Sequence, residues 1–366
     1  MKKPRRPDFL IFFATVTLLG FGIIMVFSAS SVAATAEFGD SFYFLKKQAV
    51  AAVIGLVGMG ILMQVDYHRL KKWAPLILAL AVILLGLVLV KSVGVEGGGA
   101  RRWLQLGPFS LQPSEVAKIG MILFLASILA DHQEKITDFW RGLLPLVATL
   151  GVLFLLILKQ PDLGTAMTLV GTATIMLFVA GAQVSHLFLL ALLAAPGIWW
   201  AIMGEDYRRR RFLAFLTPEA DPQDTGFHII QSLYALGSGG LLGVGLGQSR
   251  QKFFWLPERH TDFIFAIIGE ELGLLGALFV LALFMLLAWR GCRAAMLAPD
   301  RFGMLLGAGI VCMVIIQALV NIGVVTGSLP ITGIPLPFIS YGGSSLVFSL
   351  AAVGVLLNIS RHSQRP

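Results

Sequence analysis

Long apolar stretches separated by polar connections form the dominant pattern of this chain. Each of ten such stretches has roughly the 20 residues that a helix needs to cross the hydrocarbon core of a bilayer. They cover residues 8–28, 48–65, 73–90, 114–130, 143–158, 165–181, 184–203, 263–289, 302–327 and 341–359. The pattern predicts an all-α polytopic membrane protein with about ten transmembrane helices.

The composition excludes a soluble globular protein. Hydrophobic residues make up 57% of the chain and charged residues 13%, whereas soluble domains contain about 25% charged residues. The longest connection, residues 204–262, is predicted to be an outer loop between helices 7 and 8. Because the spans use most of the remaining chain, we predict a single transmembrane domain over residues 1–366.

The basic residues of the connections predict the orientation of the spans. Short cytoplasmic connections usually carry an excess of Lys and Arg, and most short segments that would be inside with the amino terminus have a net positive charge. We therefore predict that both termini are cytoplasmic. The run after the basic start MKKPRRP is longer than the core of a signal peptide, and more spans follow, so we expect an uncleaved first helix.

The outer segments nevertheless hold nearly as many basic residues as the inner ones. Positive charge on the translocated side opposes the usual bias, so it suggests an anionic ligand such as a phosphate or diphosphate. The candidate binding residues are Arg101, Arg102, Arg208 and Arg210, the last two within the run 208–211. The alternative is that these side chains extend to lipid head groups.

A cluster of ionisable residues directly precedes the eighth apolar stretch. It consists of Glu258, Arg259, His260 and Asp262. An ionisable residue at the boundary of the hydrocarbon costs free energy and is commonly retained for function. Asp262 is therefore the candidate catalytic residue, and Glu258 and His260 are candidate substrate contacts.

The segment 95–115 is interrupted by glycines and prolines. It cannot cross lipid as a free strand, but it can line a cavity. Ser114 is predicted to cap the following helix, and Lys118 follows Glu115 at helical spacing. Lys118 can form an ion pair with Glu115, or it can project into a polar cavity and bind an anion.

Two further outer segments contain turn signals. In residues 159–165, Asp162 or Thr165 is expected to cap the next helix, and we favour a cap over a catalytic role for Asp162. Residues 329–345 contain three prolines and three glycines in an otherwise apolar sequence. Such a segment cannot remain a helix exposed to lipid, so we expect a structured loop packed on protein near the same cavity.

The second half of the long connector predicts a helix and a loop. Residues 226–234 have helical periodicity, with an apolar face formed by Phe227, Ile230 and Leu233 or Tyr234, and this favours an amphipathic helix in the outer interface. Glycines 243, 245 and 247 indicate a flexible or re-entrant loop with close backbone approach. They are not a dinucleotide fingerprint, because no strand precedes them.

Several other chemistries do not fit the sequence. On the outer side only His228 and His260 could join carboxylates at a metal, and no ligand spacing is present. No nucleophile elbow supports a serine triad. The net charge of +8 is divided between two sides of a membrane, which argues against nucleic-acid binding. Cys292 lies in an inner connection and Cys312 within a span, so no disulfide is expected.

Six motifs together resemble the SEDS family (shape, elongation, division, sporulation). They are GARRW at 99–103, QPSE at 112–115, QPDLGT at 160–165, the connector 226–257, HTDFIFA at 260–266 followed by GEELG at 269–273, and PLPFISYGG at 335–343. The resemblance covers nearly all spans. Within the family the chain is similar to the FtsW and SpoVE branch, with RodA as a close relative.

The resemblance implies a peptidoglycan glycosyltransferase that polymerises lipid II on the outer face of the bacterial cytoplasmic membrane. Asp262 would be the base, and Arg101, Arg102 and Lys118, with the arginines of 208–211, would hold the diphosphate. The implied partner is a class B penicillin-binding transpeptidase of the division, elongation or sporulation machinery. No cofactor or metal site is evident, and assistance by a divalent cation stays open. A lipid II flippase and a scaffold without catalysis are the alternatives.

Overall fold

The computed structural model describes residues 6–97, 100–107, 109–220, 225–253 and 256–363. In this part of the chain the α-helices are α1 (Phe9–Phe38), α2 (Tyr43–Gln64), α3 (His68–Val88), α4 (Pro113–Asp131), α5 (Leu144–Leu158), α6 (Leu163–Val179), α7 (Val184–Met203), α8 (Asp206–Leu216), α9 (Thr225–Gly239), α10 (Ile264–Met296), α11 (Arg301–Val325) and α12 (Gly343–His362). Short 3-10 helices cover Gln133–Thr137 and Pro218–Ala220, and a π-helical turn covers Phe139–Leu143.

The predicted spans all correspond to helices. Within the described residues, nine helical segments are long and apolar enough to cross a membrane, and α6, with 17 residues, is a shorter apolar helix. The prediction of an all-helical polytopic membrane protein is confirmed. The connector 204–262 contains α8 and α9 rather than a helix of its own that spans the membrane.

Alternate connections meet at opposite ends of the bundle, as the order of the spans requires. At one end, the Tyr67 amide donates to Asn358 Oδ1 (3.1 Å), and the Asp8 amide donates to Ser360 Oγ (3.0 Å). Arg290 at the end of α10 also pairs with Asp8. The segments predicted to be outside meet at the other end, where they form the cavity described below.

A small antiparallel sheet lies between α3 and α4, which the sequence did not predict. Its strands are β1 (Gly94–Gly97), β2 (Ala100–Leu106) and β3 (Phe109–Leu111), in the order β1-β2-β3. Pairing of the strands provides hydrogen-bond partners for backbone groups that the glycines and prolines keep out of a helix. The sheet holds Arg102 in the wall of the polar cavity described below.

Helix α10 is broken near its amino-terminal end, at Gly273, where φ is 65°. A β-carbon at Gly273 would lie only 2.4 Å from the Gly243 nitrogen, so the loop and the break fit together without side chains. The amides of Val244 and Gly245 donate to the Glu270 and Glu271 carbonyls, each at 3.0 Å. The close backbone approach predicted for the glycine run is present, because it satisfies carbonyls near the break.

Helix α9 packs on the bundle through a face other than its apolar one, whose location in the outer membrane interface stays a prediction. The residues buried against the bundle are Ile229, Ser232 and Ala235, whereas Leu233 and Tyr234 are exposed. The Ser232 hydroxyl donates to the Val325 carbonyl (2.7 Å). Burial of this serine is favourable because α11 offers an acceptor, and a face read from apolar residues alone cannot anticipate that.

Candidate active site

A polar cavity of about 250 Å³ lies where the segments predicted to be outside meet. Strand β2, helices α4, α6, α8 and α11, the turn before α10 and the loop before α12 all contribute to its wall. The charged and amide side chains in the wall are Arg102, Gln112, Glu115, Lys118, Arg211, Glu258, Asp262 and Gln317. The segments predicted to line a common outer cavity therefore do so.

Asp262 lies in the tight turn that leads into α10. The Phe263 amide donates to the Glu258 carbonyl (3.1 Å), and Glu258 has the left-handed backbone conformation, with φ 50°. The Asp262 carboxylate extends towards Gly333 in the loop before α12, and a β-carbon at Gly333 would lie 3.5 Å from Asp262 Oδ2. The turn thus directs the carboxylate into the cavity.

The cavity makes Asp262 a weaker acid than an ordinary aspartate. Burial, followed by the charge of Glu258, raises the pKa of Asp262 from 3.8 to about 7, although Arg211 and Arg102 oppose the shift. A carboxyl with a pKa near 7 can accept a proton at neutral pH. Asp262 therefore has the properties of a general base.

Two arginines reach the cavity near Asp262. Arg102 donates from Nε to the Gln160 carbonyl (3.0 Å) and also to the Pro161 carbonyl. The Arg211 guanidinium lies 4.2 Å from the centre of the Tyr207 ring, and burial lowers the pKa of Arg211. Both side chains line the cavity, which suits an anionic ligand.

Lys118 combines the two possibilities that the sequence left open. Its Nζ lies 3.0 Å from Glu115 Oε2 and donates to Gln317 Oε1 (2.8 Å), and the side chain also lines the cavity. The ion pair is therefore present. Diphosphate binding by Lys118 stays a prediction, because one of its donors is already used by Glu115 and another by Gln317.

The structure does not bring Arg101, Arg208 or Arg210 into the wall of the polar cavity. On α8, Arg208 and Arg211 are three residues apart and share a side, whereas Arg210 is exposed on another. Arg208 donates to the Ala201 and Leu158 carbonyls. Arg101 pairs with Glu96 across the β1–β2 ladder, at 2.7 Å. The position of each arginine around α8 and the pairing of β1 with β2 determine which side chains reach the cavity. Neither can be predicted from a run of arginines in the sequence.

The two other predicted substrate contacts differ in position. Glu258 is exposed and lines the cavity. His260 packs instead between Phe44 and Tyr341, at 4.4 and 5.6 Å between ring centres. Burial lowers the pKa of His260 to about 4, so the ring is neutral at physiological pH. His260 stabilises the turn by packing and has no charge with which to bind an anion.

The cap at the start of α4 was predicted wrongly, and the cap of α6 correctly. Asp162 Oδ1 accepts from the Thr165 amide (3.1 Å), so Asp162 caps α6. Helix α4 begins one residue before Ser114, at Pro113, whose fixed φ suits the first helical position. Ser114 consequently lies inside the helix and cannot cap it.

Two largely apolar cavities adjoin the polar one. One of about 380 Å³ lies among α6, α7, α8 and α11, and another of about 710 Å³ lies among α5, α7, α8 and β2. Tyr207 lines all three cavities, and Arg211 lines both the polar one and the smaller apolar one. The site can thus hold a ligand with a charged head and a long apolar tail.

Comparison with known proteins agrees with this architecture. The family model described as cell cycle protein (FtsW, RodA and SpoVE) matches residues 9–365. The chain belongs to the SEDS family. It is 50% identical to stage V sporulation protein E of Bacillus subtilis over 362 residues, which are 99% of each chain.

Two further matches extend the comparison. The probable peptidoglycan glycosyltransferase FtsW of Geobacter metallireducens is 48% identical over 98% of this chain and 96% of its own length. A chain in a solved peptidoglycan synthase complex, described as coordinating polymerization and crosslinking, matches with a TM-score of 0.80 and 34% identity. That match covers 97% of this chain and 98% of the other, so the two share one fold over nearly their full length.

Sequence reasoning missed several residues that build the site of this SEDS protein. Arg211 was included only as part of a basic run, and Gln317 and Asn321 were not considered because they lie inside an apolar span. Both amides are almost fully buried, at 2% and 1% exposure. A polar amide within a transmembrane stretch is itself a signal of function. Among the residues described, no group of three or more His, Cys, Asp and Glu could hold a metal ion.

Proposed function

We propose that this chain is a peptidoglycan glycosyltransferase that polymerises lipid II into glycan strands on the outer face of the cytoplasmic membrane. The observation that carries this proposal is the shared cavity of Asp262, Arg102 and Arg211, in which burial raises the pKa of the carboxyl to about 7. A base and two cations in one cavity are the groups that glycosyl transfer from a diphosphate requires.

The proposed reaction assigns a task to each group. Asp262 takes the proton from the 4-hydroxyl of the acceptor sugar as its oxygen bonds to the anomeric carbon of the donor. The bond from that carbon to the diphosphate oxygen breaks, and the electron pair leaves with undecaprenyl diphosphate. Arg102 and Arg211 stabilise the negative charge that develops there. Attack opposite the leaving group inverts the anomeric centre.

The two apolar cavities can bind the lipid tail of the substrate. They adjoin the polar cavity at Tyr207, so a polyprenyl tail can lie among the helices while its diphosphate remains beside Arg211. Because the tail comes from lipid and not from water, the apolar walls need only replace its contacts with lipid chains. This arrangement suits a lipid-linked sugar better than a soluble nucleotide sugar.

The relatives support the biological setting. They include a sporulation protein and probable FtsW glycosyltransferases, so we assign the chain to cell division or spore cortex synthesis. The related chain in a complex that couples polymerization to crosslinking supports a class B penicillin-binding transpeptidase as the partner. We place both termini in the cytoplasm and the polar cavity outside. The mechanism uses no cofactor, and assays with EDTA or Mg²⁺ test for assistance by a divalent cation.

Substitution of Asp262 by Asn tests the proposal. The amide keeps the shape of the side chain but cannot take a proton, and a general base typically contributes about 10² to 10⁴-fold. Asp262→Asn should therefore abolish polymerisation of purified lipid II, whereas Glu258→Gln should lose less activity. A variant that polymerises at the parental rate would rule out Asp262 as the base. Transport of lipid II across liposomes, with no polymerase activity in the parent, would favour the flippase.

The stability of the same variant separates loss of chemistry from loss of fold. Because the folded state raises the pKa of Asp262 from 3.8 to about 7, this carboxyl lowers stability progressively as the pH rises from about 4 to about 7, and the full cost remains above that. The neutral amide removes this cost. Asp262→Asn should unfold at the same temperature as the parent, or at a higher one, when both are measured at about pH 8.

A further inference from the structure

The turn that contains Asp262 is held through three consecutive backbone carbonyls, whose donors come from two other parts of the chain. The His260 carbonyl accepts from the Tyr341 amide (2.9 Å), and the Thr261 carbonyl accepts from Ser340 Oγ (2.6 Å). The Asp262 carbonyl accepts from Asn321 Nδ2 (2.7 Å). The first two donors lie in the loop before α12, and the third lies in α11.

Asn321 makes a second contact that connects the two sides of the cavity. Its Nδ2 also donates to the Ile334 carbonyl (2.8 Å), and Ile334 lines the cavity next to Gly333. Because both partners are carbonyl oxygens, the amide nitrogen, with its two hydrogens, must face them. One buried group therefore sets the distance between the backbone of Asp262 and the loop that faces its carboxylate.

The surroundings of Asn321 make this contact rigid. The side chain is 1% exposed and belongs to α11, a helix of 25 residues that packs on several others. Four residues earlier on α11, Gln317 Nε2 donates to the Pro335 carbonyl (3.0 Å). Two amides of one helix thus hold adjacent carbonyls of the loop before α12, and Asn321 alone of the two also holds the turn before α10.

We propose that Asn321 is a positioning residue for glycosyl transfer, which fixes Asp262 relative to the 331–342 loop so that its carboxylate meets the acceptor hydroxyl. This inference rests on the proposed role of Asp262. A misplacement of about 1 Å can reduce a rate by about 10²-fold. Loss of the amide should therefore affect the rate of the chemical step more than the binding of lipid II.

Asn358 provides a matched control within the chain. It is also an asparagine with 1% exposure and also holds backbone, since Nδ2 donates to the Met63 carbonyl (2.8 Å) and Oδ1 accepts from the Tyr67 amide (3.1 Å). It lies at the opposite end of the bundle from Asp262. Asn321→Leu and Asn358→Leu remove equivalent contacts, so a purely structural role predicts similar losses of thermal stability and activity for both.

The experiment measures kcat and KM for lipid II with the full chain in liposomes. We expect Asn321→Leu to lower kcat at least about 10-fold with KM changed less than about twofold, and Asn358→Leu to leave both near the parental values. Equal effects of the two substitutions on kcat would overturn the proposal. Asp262→Asn is measured in parallel. If Asp262→Asn stays active, the proposed role of Asp262 fails. If Asp262→Asn is inactive but Asn321→Leu behaves like Asn358→Leu, only the positioning role of Asn321 fails.

A second variant covers the case in which Asn321→Leu does not fold. Asn321→Asp keeps the size of the side chain, but its carboxyl, which would be buried and face two carbonyl oxygens, will be protonated and can donate only one of the two hydrogen bonds. It should lower kcat for lipid II with little change in KM. Asn358→Asp should leave kcat near the parental value, and a parental kcat in Asn321→Asp would contradict the proposal.

Discussion

Glu115 and Lys118 form an ion pair inside the bundle, with Lys118 Nζ 3.0 Å from Glu115 Oε2 and both side chains at most 6% exposed. Removal of one partner of a buried pair usually costs about 3 to 5 kcal/mol. We expect Lys118→Ala to lower the unfolding temperature and to reduce lipid II turnover by about 10-fold or more. Thermal unfolding and a polymerisation assay measure the two effects.

The double variant Glu115→Gln, Lys118→Met separates the two roles of Lys118. It leaves no unpaired charge in the bundle, so much of the stability should return. Turnover should stay low if Lys118 contacts the diphosphate. Parental turnover in a stable double variant would show that Lys118 serves the fold alone.

Neighbouring arginines provide matched pairs for testing the diphosphate site. Arg211 and Arg102 line the cavity, whereas Arg210 is exposed and Arg101 pairs with Glu96. A charge-assisted hydrogen bond contributes roughly 1.5 to 3 kcal/mol, so Arg211→Ala and Arg102→Ala should each reduce kcat/KM for lipid II by about 10-fold or more. Arg210→Ala and Arg101→Ala should remain near the parental value. The same loss in both members of a pair would argue for attraction to lipid head groups.

The pKa of Asp262 predicts the pH dependence of the reaction. A base must be ionised, so kcat/KM should fall as the pH decreases through about 7, where Asp262 takes up a proton. The charge of Glu258 raises this pKa, so Glu258→Gln should move the acid limb to lower pH. A profile measured from about pH 5.5 to 9 tests both statements. If the residual activity of Asp262→Asn shows the same acid limb as the parent, that limb reports the titration of another group.

The side of the membrane on which the cavity lies can be tested by cysteine labelling. Ser238, Ser328 and Gln133 are exposed, the first two near the cavity end and the third at the opposite end. In a background with Cys292 and Cys312 replaced, cysteines at 238 and 328 should react with an impermeant thiol reagent in intact cells. One at 133 should react only after permeabilisation. Labelling at 133 in intact cells would contradict the predicted orientation.

The helices and the position of the catalytic candidate were largely predictable from local sequence. Spans follow from apolar length, since a helix must satisfy its own backbone in lipid, and every predicted span is a helix. Asp162 caps α6 as its position before a helix start predicts. Ser114 does not cap α4, because Pro113 begins the helix one residue earlier.

Hydropathy and spacing alone determined the apolar helices, the irregular character of the segments between them and the choice of Asp262, because these depend on residues close in sequence. Only the tertiary structure decided that Arg211 rather than Arg210 faces the cavity and that Asn321 holds Asp262. Those contacts join residues about 50 or more positions apart, at 211 and 262 or 262 and 321. They depend on how whole helices rotate and pack against each other, and this cannot be predicted from the residues next to each position in the sequence.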